Sequence, residues 1–240
     1  MPELIYEKKM LVRSEQVDMT RRMRVSELFR IMEEASIAHT EELGCTREKT
    51  LDKGLLWVIA RQTAEIEDLP VYDEEITLRS WQGETMHVFF PRFYEVMRGD
   101  RCIVRGRAMW TLIDEKSREI IMPEDYDISI PAKPGSEEMY LAAVIKPKWA
   151  GQPDAEEHLV TRFSQIDING HMNNTRYFDI VDDINGAEFC CANMPRMVSA
   201  NYVSELVAGE EFDLSCYVNG QDRYYEGRGT KQKFRIMISY

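Results

Sequence analysis

RSEQVDMTRRMRVSELFRIMEE, residues 13–34, and RFSQIDINGHMNNTRYFDIVDD, residues 162–183, are two readings of one pattern. Laid over each other with a shift of 167 − 18 = 149, they agree at six of 22 positions: Arg13/Arg162, Gln16/Gln165, Asp18/Asp167, Met23/Met172, Phe29/Phe178 and Ile31/Ile180. Chance gives about one match. Further pairs keep their character, among them Val17/Ile166, Ser26/Thr175, Glu33/Asp182 and Glu34/Asp183. A second stretch matches at a shift of 136, where Glu74, Glu75 and Leu78 meet Glu210, Glu211 and Leu214. The chain reads as one unit used twice.

Working outward, each copy predicts a short strand (10–13, then 158–163), a polar turn and a helix. In the first copy Val25, Leu28, Phe29, Met32 and Ala35 recur at helical spacing; in the second, Tyr177, Ile180, Val181 and Ile184 do so. The pattern then changes to alternation, clearest at Phe212, Leu214, Cys216 and Val218. Further predicted strands are 56–66, 76–81, 87–96, 104–113 and 231–240. Five of the nine prolines, Pro123, Pro131, Pro134, Pro147 and Pro153, crowd the region between the copies. Proline lacks a backbone donor and restricts its predecessor, so that region is expected to be an extended connector. The expected division is 1–133 for the first unit, 134–153 for the connector and 154–240 for the second unit. A helix on a sheet, built twice, is an α+β arrangement.

Composition narrows the function classes. Hydrophobic residues make up 44% and charged residues 30% of the 240, an ordinary globular mix. Thirty Lys and Arg stand against 42 Asp and Glu, a net charge of −12 that argues against gripping nucleic acid. It also repels an acidic protein partner, which must then be met by a local basic patch. Apolar runs are too short for a membrane span, and no secretory signal or transit peptide is visible. Cys45, Cys102, Cys190, Cys191 and Cys216 show no Cys-x-x-Cys spacing, which points to reduced thiols. A cytoplasmic protein without metal or cofactor is expected.

The second copy carries the chemistry in Asp167-Ile168-Asn169-Gly170-His171-Met172-Asn173-Asn174, followed by Tyr177. Amides at a helix start lack partners and sit at the positive end of its dipole, where they can stabilise a developing oxyanion. Gly170 lets the backbone come close to a ligand. The run resembles the signature of acyl-acyl carrier protein thioesterases: Asp, Asn two residues on, His after two more, a hydrophobic residue, an Asn pair and a Tyr. That family also places a Glu on a strand roughly 35 residues later with a Tyr three positions before it, and Tyr202 and Glu205 match. In plant members a Cys follows this Glu; Leu206 stands there here, so a thiol mechanism at that position is excluded.

The resemblance implies two tandem hotdog units, each a long helix on an antiparallel sheet, and hydrolysis of fatty acyl thioesters. Its implied catalytic set is Asp167, Asn169, His171 and Glu205, with Gly170, Met172, Asn173 and Asn174 binding substrate. Glu205 is expected as general base toward water, Asn169 to hold that water or the carbonyl, His171 to position the thioester, and Asp167 to orient the turn. The first unit has Thr20, Arg22 and Leu69 where the second has Asn169, His171 and Glu205, so chemistry is assigned to the second unit alone. The first unit is expected to wall the cleft and the acyl tunnel.

The implied partner is acyl carrier protein, and Arg21, Arg22 and Arg24 are the expected contact for its acidic helix. Lys231, Lys233 and Arg235 form a second candidate patch by alternation. His39, His87 and His158 lack comparable surroundings and read as structural or solvent-facing. Rival readings are an acyl-CoA thioesterase, a hotdog hydratase and a non-enzymatic acyl-binding module. Two fused units can imitate a hotdog dimer within one chain, and pairing into a homodimer stays open.

Overall fold

The alternating segments become ten strands of one antiparallel sheet in a computed structural model that describes residues 3–136 and 140–240. The first half contributes β1 (Tyr6–Leu11), β2 (Leu55–Ile66), β3 (Glu75–Gln82), β4 (Phe90–Arg98) and β5 (Arg101–Asp114). The second contributes β6 (Ala155–Val160), β7 (Met197–Tyr202), β8 (Glu211–Asn219), β9 (Asp222–Arg228) and β10 (Gln232–Ser239). Across the sheet they run β1-β3-β4-β5-β2-β7-β10-β9-β8-β6. Read inward from either edge, each half has its first, third, fourth, fifth and second strand in turn. These are the two expected hotdog units, joined edge to edge at β2 and β7.

The offsets that expose the repeat in sequence also mark the axis between the units. Thr63 faces Ser199 in the β2–β7 register, and 199 − 63 = 136. In the helix layer α1 (Val25–Glu42) lies beside α2 (Arg176–Asn185), and Phe29 stacks on Phe178 with ring centroids 4.6 Å apart. Here 178 − 29 = 149. Equivalent residues meet only on a two-fold axis, so both pairs lie on the axis.

Helix α1 buries Leu28, Phe29, Ile31, Met32 and Ala35 on one face. Full burial of a side chain such as Leu28 or Phe29 is worth about 1.5–3 kcal/mol. The helix presses hard on the sheet at Gly106 of β5, where a Cβ would stand 2.8 Å from Met32 Sδ. A larger residue there would lift the helix.

Several sequence expectations are corrected. Strands β1 and β6 end before residues 12 and 161, because Arg13 and Arg162 open tight turns. Each donates its backbone N–H to a glutamine side chain three residues on, Gln16 at 2.9 Å and Gln165 at 2.8 Å. The second helix stops at Asn185 because Gly186, with φ of 80°, turns the chain into the short helix α3 (Ala187–Ala192). Strand β9 went unpredicted, and the strand that the resemblance implied at Tyr202 and Glu205 is β7, which ends at Tyr202. Lys233 is no surface cation: the β9–β10 register shifts between Gln232 and Phe234, and Lys233 is only 6% exposed.

The proline-rich region opens on a short helical turn at Pro123–Tyr126, and its described residues from 128 to 154 join no strand. Leu141 packs on Phe93 and Met109, and farther on Lys146 Nζ donates to Tyr217 Oη at 2.6 Å. Within the expected 134–153 connector, residues 137–139 lie outside the described residues. Among the described residues no helix is long and apolar enough to cross a membrane.

Candidate active site

The polar turn of the second unit is built on a single carboxylate oxygen. Asp167 Oδ1 accepts from the backbone N–H of Asn169 at 2.8 Å and of His171 at 3.2 Å. The reversal needs a left-handed residue at its tip, and Gly170 supplies it with φ of 81°. The Asp167 amide then donates to the His171 carbonyl at 2.8 Å. Asn173 Oδ1 accepts from the amide and the hydroxyl of Thr175, closing the approach to α2.

Two contacts bring Glu205 to this turn. The Met172 amide donates to the Leu206 carbonyl at 2.8 Å, and His171 bridges to Val207. Glu205 is therefore placed beside His171 by its own neighbours. It does not stand on a strand, as the resemblance had implied. Strand β7 ends at Tyr202, and the amides of Val203 and Ser204 both turn to the Lys233 carbonyl. Lys233 Nζ donates to the Glu205 carbonyl at 2.8 Å and pairs with Glu210, which fixes the loop from below.

At the centre, His171 Nε2 lies 3.2 Å from Glu205 Oε2. A carboxylate offers only acceptors, so a neutral ring bonded to it would carry its hydrogen on Nε2 and leave Nδ1 as the lone pair. Burial lowers the His171 pKa, the charge of Arg118 lowers it further, and Asp167 works against both. The imidazole is accordingly neutral at pH 7. The other Glu205 oxygen, Oε1, pairs with the guanidinium of Arg118, a residue of the first unit just past β5. Both oxygens are thus engaged. Neither Arg118 nor Lys233 was foreseen, and no motif marks them: each is brought in by tertiary contact alone.

The remaining predicted residues occupy varied positions. Asn169 and Gly170 are exposed at the tip, and the Asn169 side chain makes no hydrogen bond among the described residues. Met172 is buried at 3% exposure. The Asn174 carbonyl accepts from Tyr202 Oη at 2.8 Å, and Tyr202 Oη in turn accepts from Gln62 of the first unit at 2.5 Å. Beneath the turn, Glu33 of α1 faces Asp167, and burial together with Asp167 and Glu34 pushes its carboxyl up to about 7.

Arg21, Arg22 and Arg24 lie at the corresponding turn of the first unit, away from the His171–Glu205 pair. A cavity of about 450 Å³ opens there against α2 and α3, lined by Arg24 together with Asp18, Asp179, Asp182 and Asp183. Its carboxylates make it unsuited to an acyl chain. Among the described residues no three or more His, Cys, Asp or Glu side chains are grouped to hold a metal ion.

The sequence matches the family model described as the acyl-ACP thioesterase N-terminal domain over residues 3–128, and that of the C-terminal domain over residues 150–238. Among curated relatives, an acyl-carrier-protein hydrolase of Cuphea viscosissima, chloroplastic FATB3, is 19% identical over 180 residues, covering 69% of this chain and 43% of that protein. The chain spans about half the length of the curated relatives it matches. Two solved structures share the fold. An acyl-ACP thioesterase from Bacteroides thetaiotaomicron has a TM-score of 0.80 at 22% identity, covering 98% of this chain and 97% of that one. The 12:0-ACP thioesterase from Umbellularia californica has a TM-score of 0.82 at 16% identity, covering 100% and 94%. With both halves matched in order, and with the two-unit sheet and the polar turn in place, the chain belongs to the acyl-ACP thioesterase family.

Proposed function

We propose that the chain hydrolyses fatty acyl thioesters carried on acyl carrier protein, releasing free fatty acid and the carrier's thiol in fatty acid biosynthesis. The observation that carries this reading is the His171–Glu205 pair at 3.2 Å, held across the head of the second unit's helix. A water proton passes to this pair as the water oxygen bonds to the thioester carbonyl carbon. Collapse of the tetrahedral adduct breaks the C–S bond, and the departing thiolate takes the proton back. Because both Glu205 oxygens are engaged, the pair acts together: Glu205 holds the Nε2 hydrogen and His171 Nδ1 faces the water. Asn169, exposed and free at the tip, holds the carbonyl oxygen as it gains charge. Asp167 holds the turn.

Arg21, Arg22 and Arg24 supply positive charge to an otherwise acidic chain and serve in this reading as the carrier-protein contact. Five free cysteines suit a reducing compartment, and the cytoplasm is the proposed setting.

The deciding experiment compares acyl carrier protein and coenzyme A substrates at matched chain lengths and degrees of unsaturation. The expected outcome is a higher kcat/KM on the carrier-linked series, with KM raised for that series alone by charge reversal at the three arginines. Equal or better turnover of coenzyme A esters would overturn carrier specificity. No turnover of either would leave an acyl-binding module.

A further inference from the structure

Arg118 reaches the site from the other half of the molecule. It ends a reversal after β5, closed by its own amide to the Asp114 carbonyl at 2.9 Å and by the Asp114 amide to the Glu119 carbonyl at 2.9 Å. Its backbone is left-handed, with φ of 62°, a conformation that costs a non-glycine residue about 1–2 kcal/mol. The turn thus aims a long cation out of the first unit and onto Glu205 of the second. We propose that Arg118 is a positioning residue, a cation lent by the first unit that clamps one oxygen of Glu205 so that the other meets the His171 imidazole.

The inference rests on the reading of His171 and Glu205 given above, and it adds that the second unit is not catalytically self-sufficient. Glu205 sits in a loop, and its carboxylate would otherwise rotate. Lys233 fixes only the backbone of that loop, through the Glu205 carbonyl. Arg118 fixes the side chain. The pair is partly exposed, with side-chain exposures of 32% and 39%, so its contribution to stability is small. Its effect lies in aim, and a misplacement of 1 Å in an active site costs up to about a hundredfold in rate. The titratable groups around Glu205 are Arg118 from the turn after β5, His171 and behind it Asp167 from the polar turn, and Lys233 of β10 with Glu210. Removing Arg118 deletes the cation that directly contacts the carboxylate.

The test uses the full chain with Arg118→Ala, Arg118→Lys, Glu205→Ala and the double variant Arg118→Ala/Glu205→Ala. Their kcat and KM on an acyl thioester are measured from pH 5 to 9, with melting temperature as a folding control. Expected for Arg118→Ala is a loss in kcat of about ten- to a hundredfold with little change in KM. Its acid limb should move to higher pH, since the charge of Arg118 also holds the His171 pKa down. Lysine should restore part of the rate, and the double variant should be no slower than Glu205→Ala. If Glu205→Ala is slow while Arg118→Ala keeps the wild-type rate and acid limb, the inference falls and the reading of the site stands. If Glu205→Ala itself keeps the wild-type rate, that reading fails first. A slow Arg118→Ala whose acid limb is unmoved, with no gain from lysine and losses additive with Glu205→Ala, would mean a structural role and overturn the proposal.

Discussion

The turn at Asp18 and the turn at Asp167 share a backbone and differ in what they hold. Asp18 Oδ1 caps the Thr20 amide at 2.7 Å, as Asp167 caps Asn169. The Met23 amide reaches the Pro70 carbonyl at 2.8 Å, as Met172 reaches Leu206. Arg22 bridges to Val71, as His171 bridges to Val207. Most of the scaffold's hydrogen bonds persist, although Asp18 Oδ1 takes the Thr20 hydroxyl where Asp167 Oδ1 takes a second amide, that of His171, and Leu69 is buried at 4% exposure in the place of Glu205. The shape of the turn is therefore not what makes a site. Side chains with acid–base chemistry, and cations to aim them, make it.

The largest expected break in this comparison is chemical. His171→Ala should lower turnover about 10²- to 10⁴-fold with the fold intact. Asp167→Ala should lower both turnover and melting temperature, because one oxygen caps two amides. Asp18→Ala, which removes the same kind of cap, should leave kcat alone and shift only the melting temperature, by about 1 kcal/mol of stability or less. Equal kinetic losses from the two aspartate variants would mean that the first turn takes part in turnover.

A smaller effect sharpens the comparison at the tips. Arg21 has φ of 66° where Gly170 has 81°. Gly170→Ala meets no atom within 4 Å, so its cost is backbone strain of about 1–2 kcal/mol without a clash. Arg21→Gly relieves the same strain and should raise stability, by less than that amount because glycine also loosens the unfolded chain. Thermal melts of the two variants should move in opposite directions.

A separate, pH-dependent effect concerns the acids that α1 and α2 send across the axis. Glu33 faces Asp167, and its equivalent Asp182 faces Asp18; burial and neighbouring acids raise both to about 7. The folded state then holds protons that the unfolded state releases near pH 4. Their stabilisation is complete below that value and is lost as pH rises through 7. Relative to wild type, Glu33→Gln and Asp182→Asn should each gain melting temperature as pH goes from 5 to 8. A difference that stays level with pH would mean that these carboxyls are ionised throughout.

The two-unit layout was legible because Arg13–Gln16 and Asp18–Thr20 repeat local backbone chemistry that neighbouring residues can encode by themselves. His171 was legible for the same reason: its turn is a short contiguous word. Arg118 was not, since it comes from 87 residues earlier (205 − 118) and owes its place to the way β5 runs past β2 and β7. Lys233 was read as surface charge because a one-residue register shift turned it inward, and such a slip leaves no trace in alternation. The limits of β1 and β6 were missed through the glutamine side chains that draw the chain out of its strand.

The axis through Thr63/Ser199 and Phe29/Phe178 runs inside a single polypeptide. In a pair of identical subunits, any substitution would appear at both ends at once, and a change on the axis would have to tolerate its own copy. Here one codon alters one end only. Each mouth of the molecule can drift, or be redesigned, while the opposite one stays as it is.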